Sequence, residues 1–525
     1  MAQNGQAFGS EEQVDLVIIG GGPTGLLSAL LASRLGLSVR VIDEKAGPLD
    51  LGRADALNAR TQQYLEVVGI LQDLLPLGLK CNTSSTFAEG VFKSQQSHWW
   101  TSLEHCLHPN FLMIGQPVVE RVLLDHLDTP IYYQEKAIAI VDADDGVTVS
   151  TDRGRTIRGR YAIAADGARS TIRRALGISF TGTKPEMVWA VLDTFIDTDF
   201  PRCPEIITFQ LRGQSRVSWI PRERGMARFY TLLDGEITQE RAEDSIREHM
   251  APYRIDFVRT EWFSTFDVKE RIASTFVSKQ GTGRVILAGD AAHVHSVNGG
   301  QGLNTGIADA FGLSWRIAAT KNVPLVPGAA TRLIKNYDTE RRAVAQGVID
   351  VAAALVRDTT HTAKQYVSTI ERNAGYITGM GVSYDGLGSE LIVESEQGIW
   401  KAGKRCPDIR LTHIATGEAK RLYSTVTYGK YLILALGRER NLEKRFGDLC
   451  TYFTLLPSSS TRAETSGDDT KQETETEREA GAGVFSSEVV AVADDFVVVV
   501  RPDMYIGYIG RGDGWRDYLE QLYVA

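Results

Sequence analysis

Apolar residues recur along this chain with two different periods. A β-branched run, VDLVII (14–19), gives way at Gly20–Gly25 to PTGLLSALLASRLG (23–36). The second stretch has apolar positions at helical spacing and ends on a glycine. A further short run, SVRVID (38–43), follows it. Continuous apolar strands of this kind are buried on both faces, so the unit predicts strand, helix and parallel strand. Helical patterns return at about 59–75, 116–127, 302–319 and 328–357, and short strands fill 130–165. From about 181 to 276 the period changes to alternation, as in RVSWIPRERGMARFYTLLDG, which predicts a β-rich unit inserted into the first. GRVILAGDAAH (283–293) then returns to a buried strand with a glycine-rich exit.

Residues 457–483 carry almost no apolar side chain and many acids. Such a stretch cannot bury enough surface to offset its ordering entropy, and a disordered loop is expected. The runs on either side of it, YLILAL and EVVAVADDFVVVVRP, predict strands of a third unit.

Composition narrows the class. A chain of 525 residues suggests two or three domains. Hydrophobic and charged contents of 43% and 23% fit a globular protein. A net charge of −9 argues against nucleic acid as a partner. Cys81, Cys106, Cys203, Cys406 and Cys450 are scattered without CxxC, so reduced thiols and a cytoplasmic location are expected. The N-terminal MAQNGQAFGSEEQ has no apolar core of a signal peptide, and GGGP and charges interrupt the apolar stretch at 14–42. No membrane partner is expected.

Gly20, Gly22 and Gly25 form Gly-x-Gly-x-x-Gly between a strand and a helix. The first allows a tight turn, the second lets a pyrophosphate approach the backbone, and the third lets helix and strand pack closely. The pyrophosphate then lies on a helix N-terminus, where N–H groups and dipole favour anions. Asp43 closes the second strand and is placed to accept from ribose hydroxyls, in preference to its neighbour Glu44.

Two more segments go beyond a generic dinucleotide site. AADGARSTIRR (164–174) carries Asp166-Gly167, Ser170 and Arg173, and VILAGDAAH (285–293) carries Gly289-Asp290. Together with the glycine turn, these resemble the single-component FAD-dependent aromatic hydroxylases, specifically the phenol 2-monooxygenase-like branch. The resemblance implies an α/β fold: a Rossmann-like FAD-binding domain, an interleaved β-sheet substrate domain and a C-terminal thioredoxin-like domain. The boundaries it suggests are 1–180, with some substrate-domain strands near 80–112, then 181–276, 277–395 and 396–525. It implies FAD as cofactor, NADPH or NADH as co-substrate, O₂, a phenolic small molecule, and a homodimer. Asp166 and Asp290 become FAD-binding residues, as do Arg53, Arg60 and Gln116. Gly302, Leu303 and Asn304 become the loop under the flavin, whose amides could hold negative charge. The C-terminal domain, through GKRCPDIRL (403–411), is expected to pack or cover rather than carry redox chemistry.

Asp55 lies in GRADALNART (52–61), between Arg53 and Arg60. The branch carries an Asp a few residues before an Arg-Thr pair, here Arg60-Thr61, and usually a Gly where this chain has Ala56. IPRERGMARFY (220–230) resembles its substrate-sheet segment, placing Arg222 and Tyr230 in the active site, and Arg228 also matches. The expected reaction is hydroxylation, ortho to the phenol oxygen, by a flavin C4a-hydroperoxide. A phenolate is a stronger nucleophile than a phenol, and a carboxylate in reach can take the proton. An ordinary Asp and a phenol lie about six pKa units apart, so burial or positive charge must narrow the gap. Asp55 is the expected base, Tyr230 the aligning group and Arg222 the tuning cation. The competing readings are an ion pair of Asp55 with Arg53 or Arg222, epoxidation or Baeyer–Villiger insertion on the same fold, and a flavoprotein scaffold without catalysis. Val297 replaces a proline common after His-Ser in the family, leaving the φ there unfixed. SHWW (97–100) and Trp219 are candidates for an aromatic pocket, and His293 with His295 lacks a third metal ligand, so no metal is expected.

Overall fold

The computed structural model describes residues 11–98, 103–201, 205–296, 299–358, 363–438, 440, 445–458 and 483–524. Cys203, Val297, Trp99, Trp100 and nearly all of the acidic stretch 457–483 lie outside the described residues.

The predicted strand–helix–strand unit forms. Leu16–Ile19 is buried throughout and pairs in parallel with Val39–Ile42 on one side and Tyr161–Ala164 on the other. Val285–Leu287 and Ile131–Tyr132 complete a five-stranded parallel sheet. The helix Pro23–Arg34 leaves this sheet from the glycine turn and packs against the long helix Gly302–Asn322. The two helices meet closely: a Cβ added at Gly306 would lie 2.3 Å from Thr24 Oγ1. The helical pattern at 59–75 resolves into Ala59–Val67 and a separate turn, Leu71–Leu74. Gly69 adopts φ +72°, and the bonds from Gly69 N to Glu66 O and from Ile70 N to Leu65 O close the first helix.

The alternating region builds a seven-stranded sheet around Val188–Thr198, and it recruits Ser84–Ala88 and Val91–Ser97 from earlier in the chain. Alternation divides this sheet cleanly. Leu192, Trp219 and Phe229 join Phe87, Phe200 and the helix Gln239–Met250 in one apolar layer. Asp193, Arg228 and Tyr230 occupy the other face, toward the glycine-rich unit. Trp219 is thus a packing residue, its ring tilted against that of Phe229 with centroids 5.6 Å apart, and does not belong to an aromatic pocket.

The third unit is a seven-stranded mixed sheet in which the neighbouring strands Tyr431–Leu436 and Phe496–Val500 are wholly buried. It is joined to the first unit by charge. Arg316 from Gly302–Asn322, Glu340 from Ala329–Asp358, and Arg501 and Asp503 from a turn of the third sheet form one buried cluster. Cys406 and Cys450 are free and buried, and burial pushes the Cys450 thiol up to about 12. Among the described residues no helix is long and apolar enough to cross a membrane.

Candidate active site

The glycine turn has the geometry a dinucleotide needs. Gly20 sits at φ +110°, and a Cβ there would lie 2.2 Å from Ala165 O. A Cβ at Gly25 would lie 1.9 Å from Gly20 O, so helix and strand can approach only because the residue is glycine. Nothing lies within 4 Å of the corresponding position at Gly22, leaving the helix N-terminus open to a ligand. Gly25→Ala must displace backbone, and the purified variant is expected to carry no FAD; a retained flavin absorbance at parent stoichiometry would count against this role.

Asp43 faces this turn. Its Oδ2 accepts from Gly21 N at 2.5 Å and its Oδ1 from Lys45 N at 2.7 Å, which leaves one lone pair per oxygen. Glu44 points outward to Lys136 at 2.9 Å, as the strand register requires. Asp166 Oδ2 accepts from Thr171 N and Ile172 N, while its buried Oδ1 has no partner. Burial raises the Asp166 carboxyl against those bonds. Ser170 caps the helix Thr171–Ala175, and Arg173 donates to Ala291 O at 2.7 Å, bracing the Gly289-Asp290 loop. Asp290 is accessible. Protein nevertheless crowds it closely enough for desolvation to push its carboxyl up, with His293 and Arg53 opposing. An accessible acid so enclosed marks a lined cleft. Arg53, exposed and held at φ +66°, is near it.

These features fit FAD: an open helix N-terminus for pyrophosphate, Asp43 for ribose, and Asp290 with Arg53 in the cleft between. Gly289 N and His293 Nε2 both donate to Asp309 Oδ2, at 3.0 and 2.7 Å, and Arg341 Nε holds the other oxygen at 2.8 Å. His295 is half-buried, and desolvation lowers its pKa to about 4 and keeps it neutral. Among the described residues no cluster could hold a metal.

Gly302 opens its long helix, as expected, with Leu303 and Asn304 in the first turn. Asn304 does more than cap a loop. Its Oδ1 accepts from Asn58 N at 2.9 Å and its Nδ2 donates to Ala56 O at 3.0 Å, tying this helix start to the chain beside Asp55. Gln116 braces the same segment: Ala54 N donates to its Oε1, and its Nε2 donates to Glu120.

Asp55 is 5% exposed and faces the seven-stranded sheet. Tyr230 Oη donates to Asp55 Oδ2 at 3.1 Å, and Arg228 Nη1 lies 3.4 Å from the same oxygen. Both contacts fall on Oδ2. Burial and the Asp55 charge raise the Tyr230 hydroxyl, so it stays protonated and donates. Burial works against the charge of Arg228, but Tyr230, Asp55 and Asp193 hold it cationic.

Two expectations need correction. Arg222 makes no bond to Asp55; its guanidinium donates to Glu223 at 2.8 and 2.9 Å and to Asp193 at 3.2 Å. The strand Gln214–Pro221 ends just before it, so Arg222 leaves the alternation that aligns Arg228 with Tyr230, and the adjacent Glu223 captures it. Arg228 is the cation beside the acid. Arg60 does not reach the cofactor cleft either. It is buried against the third domain, donating to Tyr423 Oη at 3.0 Å and to the carbonyls of Asp503 and Met504. Asp193 escaped the sequence reading, although an acid inside the apolar strand VWAVLDTFIDT is itself a signal.

Residues 13–352 match the family model described as FAD binding domain. The chain is 26% identical to the FAD-dependent monooxygenase ankC of Aspergillus thermomutatus, over 98% of this chain and 99% of that one. It is 28% identical to the phenol 2-monooxygenase fsqG of Aspergillus fumigatus, over 83% of this chain and 78% of that one. The solved structure of OxyS anhydrotetracycline hydroxylase from Streptomyces rimosus superposes with a TM-score of 0.71 at 25% identity, covering 97% of this chain and 99% of that chain.

Proposed function

The chain belongs to the FAD binding domain family, as an NAD(P)H-dependent flavoprotein monooxygenase of the aromatic hydroxylase type, and from that premise we propose that it hydroxylates a phenol ortho to its oxygen. The observation that carries this reading is the contact of Asp55 with Tyr230 and Arg228 on the inner face of the substrate sheet. Similarity to a phenol 2-monooxygenase supports the same substrate class.

Bound FAD, reduced by NAD(P)H, supplies activated oxygen. The protein's own residues act on the phenol. Tyr230 aligns the phenol oxygen beside Asp55, and Oδ1 of Asp55 takes the hydroxyl proton as the new C–O bond forms at the ring. Deprotonation raises electron density at the ortho carbon, where an electrophilic oxygen is accepted. The ring proton displaced there then leaves and aromaticity returns. Arg228 keeps Asp55 anchored, and Asn304 holds the loop that carries it. Asp55 and Arg228 are buried and Tyr230 is half-buried, which restricts water at the proton transfer. Gly20, Gly22, Gly25, Asp43, Arg53, Asp166 and Asp290 are the residues we assign to FAD.

The test is a panel of phenols, phenolic polyketides and cyclic ketones with the FAD-loaded enzyme. Phenols are expected to accelerate NAD(P)H consumption several-fold and to return catechol-type products. Stimulation by ketones with lactone products would overturn the reading.

A further inference from the structure

A carboxylate with no part in that chemistry lies directly behind it. Asp193, 2% exposed, stands opposite Arg228 in strand register. Arg228 donates to it twice, Nε to Oδ1 at 2.6 Å and Nη2 to Oδ2 at 2.6 Å. Arg222 Nη1 donates to the same carboxylate from the other side, at 3.2 and 3.3 Å. Only Nη1 of Arg228 is left for the active site, where it meets Arg53 O, Tyr230 Oη at 3.5 Å and Asp55 Oδ2 at 3.4 Å.

This arrangement has an electrostatic consequence. Asp55, Asp193 and Glu223 face Arg222 and Arg228, so the buried cluster carries one surplus negative charge. Removing the charge of Asp193 would leave two acids facing two guanidiniums. Arg228 would then draw more fully on Asp55, and in a low-dielectric site that interaction is strong.

We propose that Asp193 is a positioning residue that aims one end of Arg228 at the reaction site and, by balancing that guanidinium from behind, leaves Asp55 able to accept a proton. The site is thereby set to take neutral phenols and to disfavour phenolates. The inference rests on the assignment of Asp55 as base.

The experiment compares two substrates of the FAD-loaded enzyme: an ordinary phenol, neutral at the assay pH, and one bearing electron-withdrawing groups, ionised there. Asp193→Asn keeps the shape and removes the charge. It is expected to lower kcat for the neutral phenol about 10- to 100-fold, the scale of a misplaced catalytic group. It should lower KM for the ionised one, so that the two substrates respond in opposite directions. Adding Arg222→Gln restores the surplus charge and should return the parent's preference for the neutral phenol. A purely structural role would instead reduce both substrates by the same factor and make the double variant worse; that result overturns the proposal. If Asp193→Asn does not fold alone, the double variant decides the matter: activity on the neutral phenol near the parent's, with the parent's preference, supports the inference, and an equal loss on both substrates or an inverted preference refutes it. Asp55→Asn is assayed alongside. If that variant keeps full hydroxylation, the base assignment has failed. If it is impaired while Asp193→Asn behaves as parent, only the present inference has.

Discussion

Asp55→Asn is expected to bind FAD and consume NAD(P)H at the parent rate while losing hydroxylation by about 10²–10⁴-fold, with hydrogen peroxide in place of product. Asn keeps the volume of the side chain and can still accept from Tyr230, so the pocket should survive. What disappears is the acceptor for the phenol proton. Nothing in the FAD cleft depends on this carboxylate, because its side-chain contacts are Tyr230 and Arg228. Flavin content and substrate-free reduction therefore serve as internal controls. The loss should shrink as the assay pH approaches the pKa of the phenol, about 10 for a simple one. A substrate already ionised needs no base, so an acidic phenol should be least affected. Full product yield without peroxide would remove Asp55 from the mechanism. Loss of FAD along with activity would show instead that the residue maintains the fold.

The cofactor turn is readable in the sequence because it is local, whereas Asp55 is singled out only through the resemblance of GRADALNART and IPRERGMARFY to a family pattern. Gly20 to Gly25 sits between two apolar runs, and its demands are set by residues within one turn and one neighbouring strand. The sequence reading pairs Tyr230 with Arg222, although Arg228, two residues from Tyr230 on one strand, is the arginine that shares its face. Arg222 was misread because its role turns on where a strand stops. Arg60 was misread for a different reason: its partners Tyr423, Asp503 and Met504 lie more than 360 residues away, and no local pattern announces them. Asp193 shows the intermediate case. Its strand position is readable, but its meaning appears only when the partner strand brings Arg228 opposite. The chemistry-bearing residues of this chain are thus readable where sequence neighbours define them and hidden where sheets close over long separations.

The second large effect concerns the joint between the cofactor domain and the third domain. Glu340→Ala is expected to destabilise the protein by about 3–5 kcal/mol, the cost of leaving buried charge unpaired. Glu340 is fully buried and accepts from Arg316 at 2.6 Å, from Arg501 at 2.6 and 2.8 Å, and from Ser389 at 2.6 Å. Burial alone would raise its carboxyl, but Arg501 and Arg316 outweigh burial and hold it below the usual range. Asp503 is held down by the same two guanidiniums against burial. With Glu340 removed, Asp503 must answer for both arginines, and one buried cation has no counterion. A folded carboxyl pKa below the unfolded value contributes stability at neutral pH. That contribution is lost only as pH falls below the unfolded carboxylate range, through the folded value. The parent should therefore resist mild acid, and the Ala variant should melt lower at every pH with a weaker acid dependence. Thermal melting from pH 8 down to about pH 2, followed by FAD release, measures both. The direction matters for catalysis too, because Arg501 and Asp503 lie in the turn that receives Arg60 from the helix following Asp55. If the third domain merely rested on the surface, its release would leave FAD in place. Because it is joined through buried charge, FAD and the third domain should come away in a single transition.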